Sequence, residues 1–246
     1  MSAPAIALWV VLPYVALTLF LLGHLWRWKS DQFGWTSRSS QLYEGTLLRW
    51  GSPLFHYGTL AAIGGHVVGI LIPQSWLAAL GINEATYRIG AGYLGALAAC
   101  AVVVGLAILL YRRASNARVR RATTPMDLLA YSLMAVVVAL GTWATVAVTL
   151  FGRGYNYRST VAVWFRSIFA GDPRAALMSH APAIYQIHAA AAWAFLAVFP
   201  FSRLVHAWSA PVWYLWRPYI VYRRRLATPP REPGTSRRWQ RISSGQ

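Results

Sequence analysis

The chain has 246 residues, of which 57% are hydrophobic and only 12% are charged, and its formal net charge is +17. A soluble domain averages about 25% charged residues, so this composition excludes an ordinary soluble globular protein. The positive charge alone could indicate nucleic-acid binding, but the arginines flank apolar runs and no nucleic-acid-binding motif accompanies them. Contact with anionic lipid headgroups and with an acidic partner surface is the simpler interpretation.

Five apolar runs follow one another along the chain, and each reaches the roughly 20 residues needed to cross the hydrocarbon core of a bilayer. They cover residues 4–26, 53–73, 89–111, 128–151 and 183–208. The runs are continuously apolar rather than alternating, which favours helices over a β-barrel. No basic segment precedes the first run, so we interpret it as a retained span and not as a cleaved signal peptide. We therefore predict an all-α integral membrane protein, a bundle of five transmembrane helices.

Lysine and arginine lie mostly on one side of this predicted bundle. Eighteen of the 23 basic residues fall on the first and third connections and from Arg203 to the C-terminus, against five on the second and fourth connections. The positive-inside rule then places the N-terminus outside and the C-terminus in the cytoplasm. We predict a membrane domain over residues 1–225 and a basic cytoplasmic tail, rich in Pro and Arg, over residues 226–246.

Other features of the chain narrow the class of protein. The segment VAVWFRSIF, residues 161–169, has the pattern of a short helix lying in the membrane interface. None of the six acidic residues is deep within a span, which disfavours a proton pump or a cation-coupled transporter. The single cysteine, Cys100, is interpreted as a small residue of the helix core.

Four histidines lie within apolar runs, where a polar ring is costly. His56 and His66 are ten residues apart in the second run, and His188 and His206 are eighteen apart in the fifth. Because these runs are antiparallel, topology pairs His56 with His206 and His66 with His188. On ideal helices the two axial separations differ by about 12 Å, and we expect tilt and a kink at Pro200 to absorb the difference.

A haem iron suits such histidine pairs best, because it takes two axial imidazoles and leaves its other bonds to the porphyrin. A zinc site needs three or four protein ligands, and a di-iron site needs glutamates on several helices. Gly64, Gly65 and Gly69 surround His66 and leave room for a flat macrocycle. We therefore predict two b-type haems. The remaining histidines, His24 and His180, are expected to make plain hydrogen bonds.

The residues also resemble a known family. The segments that show the resemblance are FHYGTLAAIGGHVVG at residues 55–69, SRSSQ at 37–41, RRATTP at 120–125 and FPFSRLVHAWSAP at 199–211. These segments resemble the gamma subunit of respiratory nitrate reductase, a membrane dihaem cytochrome b of the bacterial cytoplasmic membrane. The resemblance runs from about residue 13 to residue 225 and leaves the tail after Leu226 uncovered.

This resemblance implies a five-helix fold in which His56 and His206 hold an inner haem b, and His66 and His188 an outer one. It implies an iron–sulfur beta subunit and a molybdenum-containing alpha subunit on the cytoplasmic side. Quinol would be oxidised near the outer haem, around Gly65. A lysine that the family uses for quinol stands at the position of Thr86 here, and the resemblance leaves Arg88, two residues on, to supply the cation.

Residues at the cytoplasmic ends of the spans are candidates for the haem propionates. Arg203 stands one turn before His206, and Ser39, Ser40 and Arg38 lie on the first connection of the same side. Lipid-headgroup contact is the alternative role for such an arginine.

Two other functions remain open on the sequence. One is a cytochrome b subunit of a related oxidoreductase, of the sulfite or heterodisulfide type. The other is a haem-free membrane anchor that docks a soluble complex through its basic face.

Overall fold

The computed structural model describes residues 2–35, 39–152, 155–208 and Trp216, and this part of the chain is helical without any β-strand. Its helices are α1 Ala3–Ser30, α2 Thr46–Leu71, α3 Gln74–Ala79, α4 Glu84–Ser115, α5 Ala117–Arg121, α6 Pro125–Leu150, α7 Val161–Phe169, α8 Ala175–Ser179 and α9 Ala183–Phe201. Five of them, α1, α2, α4, α6 and α9, are long and apolar enough to cross a membrane. The prediction of five spans is therefore confirmed.

The first four spans are longer than the apolar runs that predict them, because their helices continue into the polar residues that flank each run. Thus α2 begins at Thr46 and carries Pro53, the predicted start, in its interior. The side chain of Asn83 accepts a hydrogen bond from the Thr86 N–H at 2.8 Å and starts α4. Thr124 and Asp127 form a reciprocal capping box at the start of α6. Capping of this kind satisfies the first backbone N–H groups of a helix.

The closest packing between spans joins α2 to α4, and glycines make it possible. A Cβ at Gly105 of α4 would lie 2.7 Å from the Phe55 Cα of α2, and a Cβ at Gly58 would lie 2.8 Å from the Val102 backbone nitrogen. Small residues allow such an approach in a bilayer, where lipid tails are as apolar as the side chains they replace. Helix α9 packs against both α1 and α6.

The predicted short helix at residues 161–169 is confirmed as α7. Its apolar face is buried against α1 and not left on the surface, since Trp164 is only 1% exposed and its Nε1–H donates to the Trp9 carbonyl at 3.0 Å. The rings of Trp9 and Trp164 meet edge to face at 5.7 Å. Ile168, Met178 and Trp193 complete this cluster, which joins α7, α8 and α9 to the start of α1.

Two predictions about the spans are wrong in detail. The fifth span is shorter than the predicted run 183–208, because its α-helix ends at Val198 and is followed by 3-10 turns over Phe199–Phe201 and Arg203–Ala207. The break falls at Pro200, where the sequence predicts a kink. Pro200 lies in the first turn and lacks the N–H that a continuing helix needs. Cys100 is exposed on the outside of α4 rather than packed in the core, because lipid-facing and core-facing positions of a span are both apolar.

Candidate functional site

The structure brings His56 and His206 together, across α2 and the 3-10 turn that follows α9. Their ring centroids are 6.0 Å apart with an interplanar angle of 69°. The Nδ1–H of His56 donates to the Ser52 carbonyl at 2.7 Å, and that of His206 to the Arg203 carbonyl at 2.7 Å. Because a carbonyl only accepts, these bonds place the proton on Nδ1 and leave the lone pair on Nε2.

The other two histidines also meet, across α2 and α9. The centroids of His66 and His188 are 6.2 Å apart with an interplanar angle of 30°. The Nδ1–H of His66 donates to the Ala62 carbonyl at 2.7 Å, whereas the buried Nδ1 of His188 has no hydrogen-bond partner of ordinary geometry. A Cβ at Gly141 of α6 would lie 2.9 Å from the His188 Cε1, so α6 backs directly onto this ring.

Both separations suit one metal ion held between two imidazoles. Two metal–nitrogen bonds of about 2 Å, with about 1.1 Å from each nitrogen to its ring centroid, give about 6 Å. No group of three or more His, Cys, Asp or Glu side chains that could hold a metal ion occurs among the described residues. Each pair therefore suits a metal whose other bonds come from a macrocycle, and the donor set fits haem.

The space beside His66 suits a flat ligand. A Cβ at Gly64 or Gly65 would have no heavy atom within 4 Å, and His56 and His66 are exposed in the isolated chain. Within the described residues, α2 makes no extensive backbone contact with α9, although the histidines lie on α2, on α9 and on the turn that follows α9. Imidazoles left open in the hydrocarbon would be costly, so a ligand that covers them would stabilise the fold.

One end of the bundle, where α1 ends and α2 begins, is here called the arginine-rich end. Arg27 is buried there, and its Nη1–H group donates to the carbonyls of Pro200 at 2.8 Å and Ser202 at 2.6 Å. Its Nη2 donates to the Gly34 carbonyl at 3.0 Å. Arg27 therefore supplies hydrogen bonds to the two carbonyls beside the helix break, and it holds the turn that carries His206.

The predicted propionate residues also lie at this end. The Nε of Arg203 donates to Asp127 Oδ1 at 2.7 Å, its Nη2 lies 2.7 Å from Asp127 Oδ2, and Nη2 also donates to the Ala122 carbonyl. Ser39 is exposed and its hydroxyl accepts from the Gln41 N–H at 3.3 Å. Arg38 is outside the described residues. Their role toward a propionate stays a prediction.

Buried Arg112 closes the first connection over the arginine-rich end. It donates to the Ser40 hydroxyl at 2.9 Å and the Ser40 carbonyl at 2.8 Å, and it pairs with Glu44 at 2.5 Å. Desolvation acts to raise the pKa of Glu44, but hydrogen bonds from the Leu47 N–H and from Arg112 outweigh it and hold that pKa below its ordinary value. Glu44 therefore binds Arg112 as a carboxylate at neutral pH.

At the opposite end, where α2 ends and α4 begins, Arg88 is exposed and borders a cavity of about 240 Å³ with Glu84, Ala85, Tyr155 and Asn156. Thr86 lies in the first turn of α4. Gly65 lies beside His66 on α2. The quinol role of Arg88 and Gly65 stays a prediction.

A tyrosine pair lies beside the cavity at the opposite end. The hydroxyls of Tyr87 and Tyr157 are 2.7 Å apart. Burial, and next the hydrogen bond to Tyr87, raise the pKa of Tyr157 far above its ordinary value, so its phenol stays neutral. Sequence reasoning counted nearby Arg158 only as a surface charge, although it is 2% exposed. No local signal in the sequence marks that burial.

The two remaining histidines make plain hydrogen bonds, as the sequence predicts. His24 Nδ1–H donates to the Phe20 carbonyl at 2.6 Å, and its Nε2 accepts from the Trp208 indole at 3.0 Å. His180 Nδ1–H donates to the Ala176 carbonyl at 2.7 Å.

Comparison with known proteins agrees with this architecture. The family model described as nitrate reductase gamma subunit matches residues 5–225. The nitrate reductase gamma chain of Bacillus subtilis is 44% identical over 221 residues, which cover 89% of this chain and 97% of that one. The respiratory nitrate reductase 2 gamma chain of Escherichia coli is 31% identical over 87% of this chain and 95% of that one.

A longer relative matches as well. The nitrate reductase-like protein NarX of Mycobacterium tuberculosis is 47% identical over 230 residues, which cover 92% of this chain but 35% of NarX, so the chain spans about a third of that relative's length. The family match covers nearly the whole chain. The chain therefore belongs to the nitrate reductase gamma subunit family and, with its five membrane-spanning helices, is a multi-pass protein of the bacterial inner membrane.

Proposed function

We propose that this chain is a dihaem cytochrome b subunit that oxidises quinol in the membrane and delivers the electrons to the partner subunits of a respiratory nitrate reductase. The observation that carries the proposal is the meeting of four histidines in two pairs, with centroids 6.0 and 6.2 Å apart. The family membership supports the nitrate reductase assignment over a sulfite or heterodisulfide complex.

The four histidines would be the axial ligands, His56 and His206 of one haem and His66 and His188 of the other. Two b-type haems, when bound, supply one-electron redox chemistry. The chain fixes the Nδ1 tautomer of three of these histidines through backbone carbonyls. Such bonds orient a metal-binding imidazole and raise its basicity.

The distribution of arginine and lysine supports an orientation with the arginine-rich end in the cytoplasm and the N-terminus outside. The His66–His188 pair would then lie toward the outer face. Quinol would be oxidised there, around Gly65 and His66 with Arg88 as a nearby cation, to quinone, two protons and two electrons. The electrons would go inward to the pair His56–His206.

The protons of quinol would stay on the outer side, because no described span carries a carboxylate in its middle. The described carboxylates lie at or beyond helix ends, and they are Asp31, Glu44, Glu84, Asp127 and Asp172. The transfer of electrons alone would therefore separate charge across the membrane.

The partners that we propose are an iron–sulfur beta subunit and a molybdenum-containing alpha subunit on the cytoplasmic side, together with membrane lipid. The clustering of arginines at one end supports a negatively charged partner there. The predicted tail, residues 226–246, is outside the described residues, and we propose it as an extended strap over a partner subunit.

The test is single replacement of each histidine by alanine in the assembled complex, with haem quantification and electron paramagnetic resonance. His66→Ala and His188→Ala should remove the same haem signal, and His56→Ala and His206→Ala should remove the other. His24→Ala and His180→Ala are matched controls that should retain both signals.

Loss of different signals in His66→Ala and His188→Ala would show that the pairing is wrong. A reduced-minus-oxidised spectrum without b-type bands in membranes that contain the unmodified complex would instead favour a haem-free anchor.

A further inference from the structure

Four tyrosines and one arginine form a cluster at the end of the bundle opposite the arginine-rich end. The tyrosine cluster consists of Tyr87, Tyr155, Tyr157 and Tyr185. The Tyr157 ring stacks on Tyr185 at 6.0 Å, and the Tyr155 ring lies 5.3 Å from the same ring. The guanidinium carbon of Arg158 lies 4.1 Å from the centroid of Tyr87, so Arg158 belongs to this packed group.

The tyrosine cluster lies next to the His66–His188 pair, and it is linked to both helices that carry these histidines. Gly69 follows His66 by three residues, and a Cβ there would lie 2.6 Å from the Tyr157 hydroxyl and 2.7 Å from that of Tyr87. Tyr185 precedes His188 by three residues. Residues three apart on a helix lie about one turn apart on neighbouring faces. The tyrosine cluster that packs Arg158 therefore lies about one helical turn from each histidine of this pair.

Arg158 is buried, and the three N–H donors on its Nε and Nη2, of five in all, are unused. Its side chain is 1% exposed, and Nη1 lies 3.3 Å from Glu84 Oε2. Its Nε and Nη2 are buried and have no hydrogen-bond partner. Apart from Thr59 Oγ1, the only other such side-chain atoms in the described residues are Tyr185 Oη and His188 Nδ1. Tyr185 Oη is nevertheless within reach of the Thr149 side chain, and His188 Nδ1 is within reach of the Val137 backbone. The donors left wholly without a partner beside this histidine pair are therefore those of Arg158.

The positive charge in this region is also incompletely balanced. Arg166 lies nearby, with its Nη1 donating to the Ile70 carbonyl at 2.6 Å. Desolvation, and next the charge of Arg158, lower the pKa of Arg166. Glu84, 33% exposed in its side chain, is the only carboxylate paired with Arg158 in the described chain. Each of the other four described carboxylates pairs with a different arginine, in the couples Arg27–Asp31, Arg112–Glu44, Arg174–Asp172 and Arg203–Asp127.

The two unused nitrogens identify the chemistry of the missing partner. Nε and Nη2 share one edge of the planar guanidinium, and their parallel N–H bonds match the two oxygens of a carboxylate. A quinol hydroxyl or quinone carbonyl presents a single oxygen and no charge. The fork and the unbalanced charge therefore both favour an anion with two oxygens, and the anion that a haem at His66 and His188 would carry is a carboxylate.

We propose that Arg158 binds a propionate carboxylate of the haem held by His66 and His188, with Arg166 as a second cation nearby. This inference rests on the proposed function, because it requires a haem at that pair. A fixed positive charge beside a haem stabilises the reduced form, which carries one positive charge less. Arg158 would therefore raise the midpoint potential of the haem that accepts electrons from quinol.

The experiment is a potentiometric titration of both haems in the assembled complex, with the Arg158→Gln and Arg158→Lys variants. Arg158→Gln should lower the midpoint potential of the haem that His66→Ala removes and leave the other unchanged. Arg158→Lys, which keeps the charge but loses the fork, should give a smaller shift in the same direction. Arg174→Gln is the matched control, since Arg174 is 63% exposed on the same connection, and it should shift neither potential.

A second variant keeps the test decisive if Arg158→Gln does not assemble. Glu84→Gln removes the competing negative charge and should raise the midpoint potential of the same haem. Unchanged potentials in Arg158→Lys and Glu84→Gln would overturn the inference while leaving the dihaem proposal standing. An unchanged potential in Arg158→Gln together with a raised KM for quinol would also overturn it, because Arg158 would then contact quinol. The dihaem proposal itself is tested separately, by the histidine variants and by the reduced-minus-oxidised spectrum.

Discussion

The two histidine pairs differ in how completely the arginines of their end of the bundle are paired. Around His56–His206, the buried guanidinium groups of Arg27 and Arg112 and the half-buried one of Arg203 each have a carboxylate within 3.4 Å. They also bind backbone carbonyls of the turns that they close. Around His66–His188, buried Arg158 has one partly exposed carboxylate and two nitrogens without a partner.

The contrast separates two uses of a buried arginine in a membrane protein. A guanidinium whose donors are all taken by its own chain fixes a fold, because leaving any of them unmet in an apolar region is costly. A guanidinium with one edge unused is prepared for a ligand. The first kind holds the shape of the turn that bears His206, and the second kind would tune the potential of the haem at the other pair.

Among the variants that test this contrast, Arg27→Gln should have the largest effect on haem binding. It leaves the buried carbonyls of Pro200 and Ser202 without their donor, at about 1–3 kcal/mol for each unmet acceptor. The turn that bears His206 would loosen. We expect loss of the haem signal assigned to His56–His206, with the signal assigned to His66–His188 retained, in optical and electron paramagnetic resonance spectra of the complex.

Arg49→Gln is the control for this variant, since Arg49 is an exposed arginine of the same end of the bundle. It should retain both signals. Equal loss of both haems in Arg27→Gln would mean that Arg27 supports the whole bundle and not the His206 turn alone.

Asp127→Asn tests the same end with a smaller change. The amide keeps the size of the side chain, but it removes the charge that faces Arg203 across 2.7 Å. A hydrogen bond between charged groups contributes about 1.5–3 kcal/mol, so the free energy of unfolding should fall by about that much. Thermal unfolding of the complex in detergent, followed by tryptophan fluorescence, measures the loss. A melting temperature equal to that of the unmodified complex would show that the Arg203–Asp127 pair contributes nothing to stability.

Arg88→Ala tests the end of the bundle that holds the His66–His188 pair. Arg88 is exposed and borders the cavity beside Glu84 and Tyr155, in contrast to buried Arg158. We expect the apparent affinity for quinol to fall by about tenfold or less, which corresponds to about 1.4 kcal/mol, while both haem potentials stay unchanged. Steady-state kinetics with a soluble quinol analogue gives the KM. An unchanged KM in the intact complex would show that Arg88 contacts lipid headgroups and not quinol.

Much of this arrangement could be predicted from the sequence, because apolar run length sets the number of spans and antiparallel order sets which histidines share a depth. The kink at Pro200 is also expected from the sequence, but the contacts that hold it are not, since Arg27 is 173 residues from Pro200. The burial of Arg158 likewise depends on Glu84 and Tyr87, more than 70 residues away. Counting arginines by side treats each as a surface charge, and only tertiary contacts distinguish Arg158 from Arg88.

The smallest effect that we expect is a pH dependence at the arginine-rich end. Glu44 has a pKa below its ordinary value of 4.5, because the bonds from the Leu47 N–H and from Arg112 outweigh desolvation. A carboxyl whose pKa is lower in the folded state stabilises the protein at pH values above its unfolded pKa. That contribution is lost as the pH falls through the folded pKa.

The Glu44→Gln variant isolates this contribution, because all other titrating groups are common to both proteins. At pH 7 the variant should melt at a lower temperature than the unmodified complex. The difference should stay constant down to about pH 4.5 and shrink below it, as Glu44 takes up a proton and ceases to differ in charge from glutamine. Melting curves of both complexes at a series of pH values measure it. A difference that does not change with pH would mean that Arg112 is held by the Ser40 and Glu44 backbone carbonyls and the Ser40 hydroxyl alone, so that the charge of Glu44 is dispensable for closing this end.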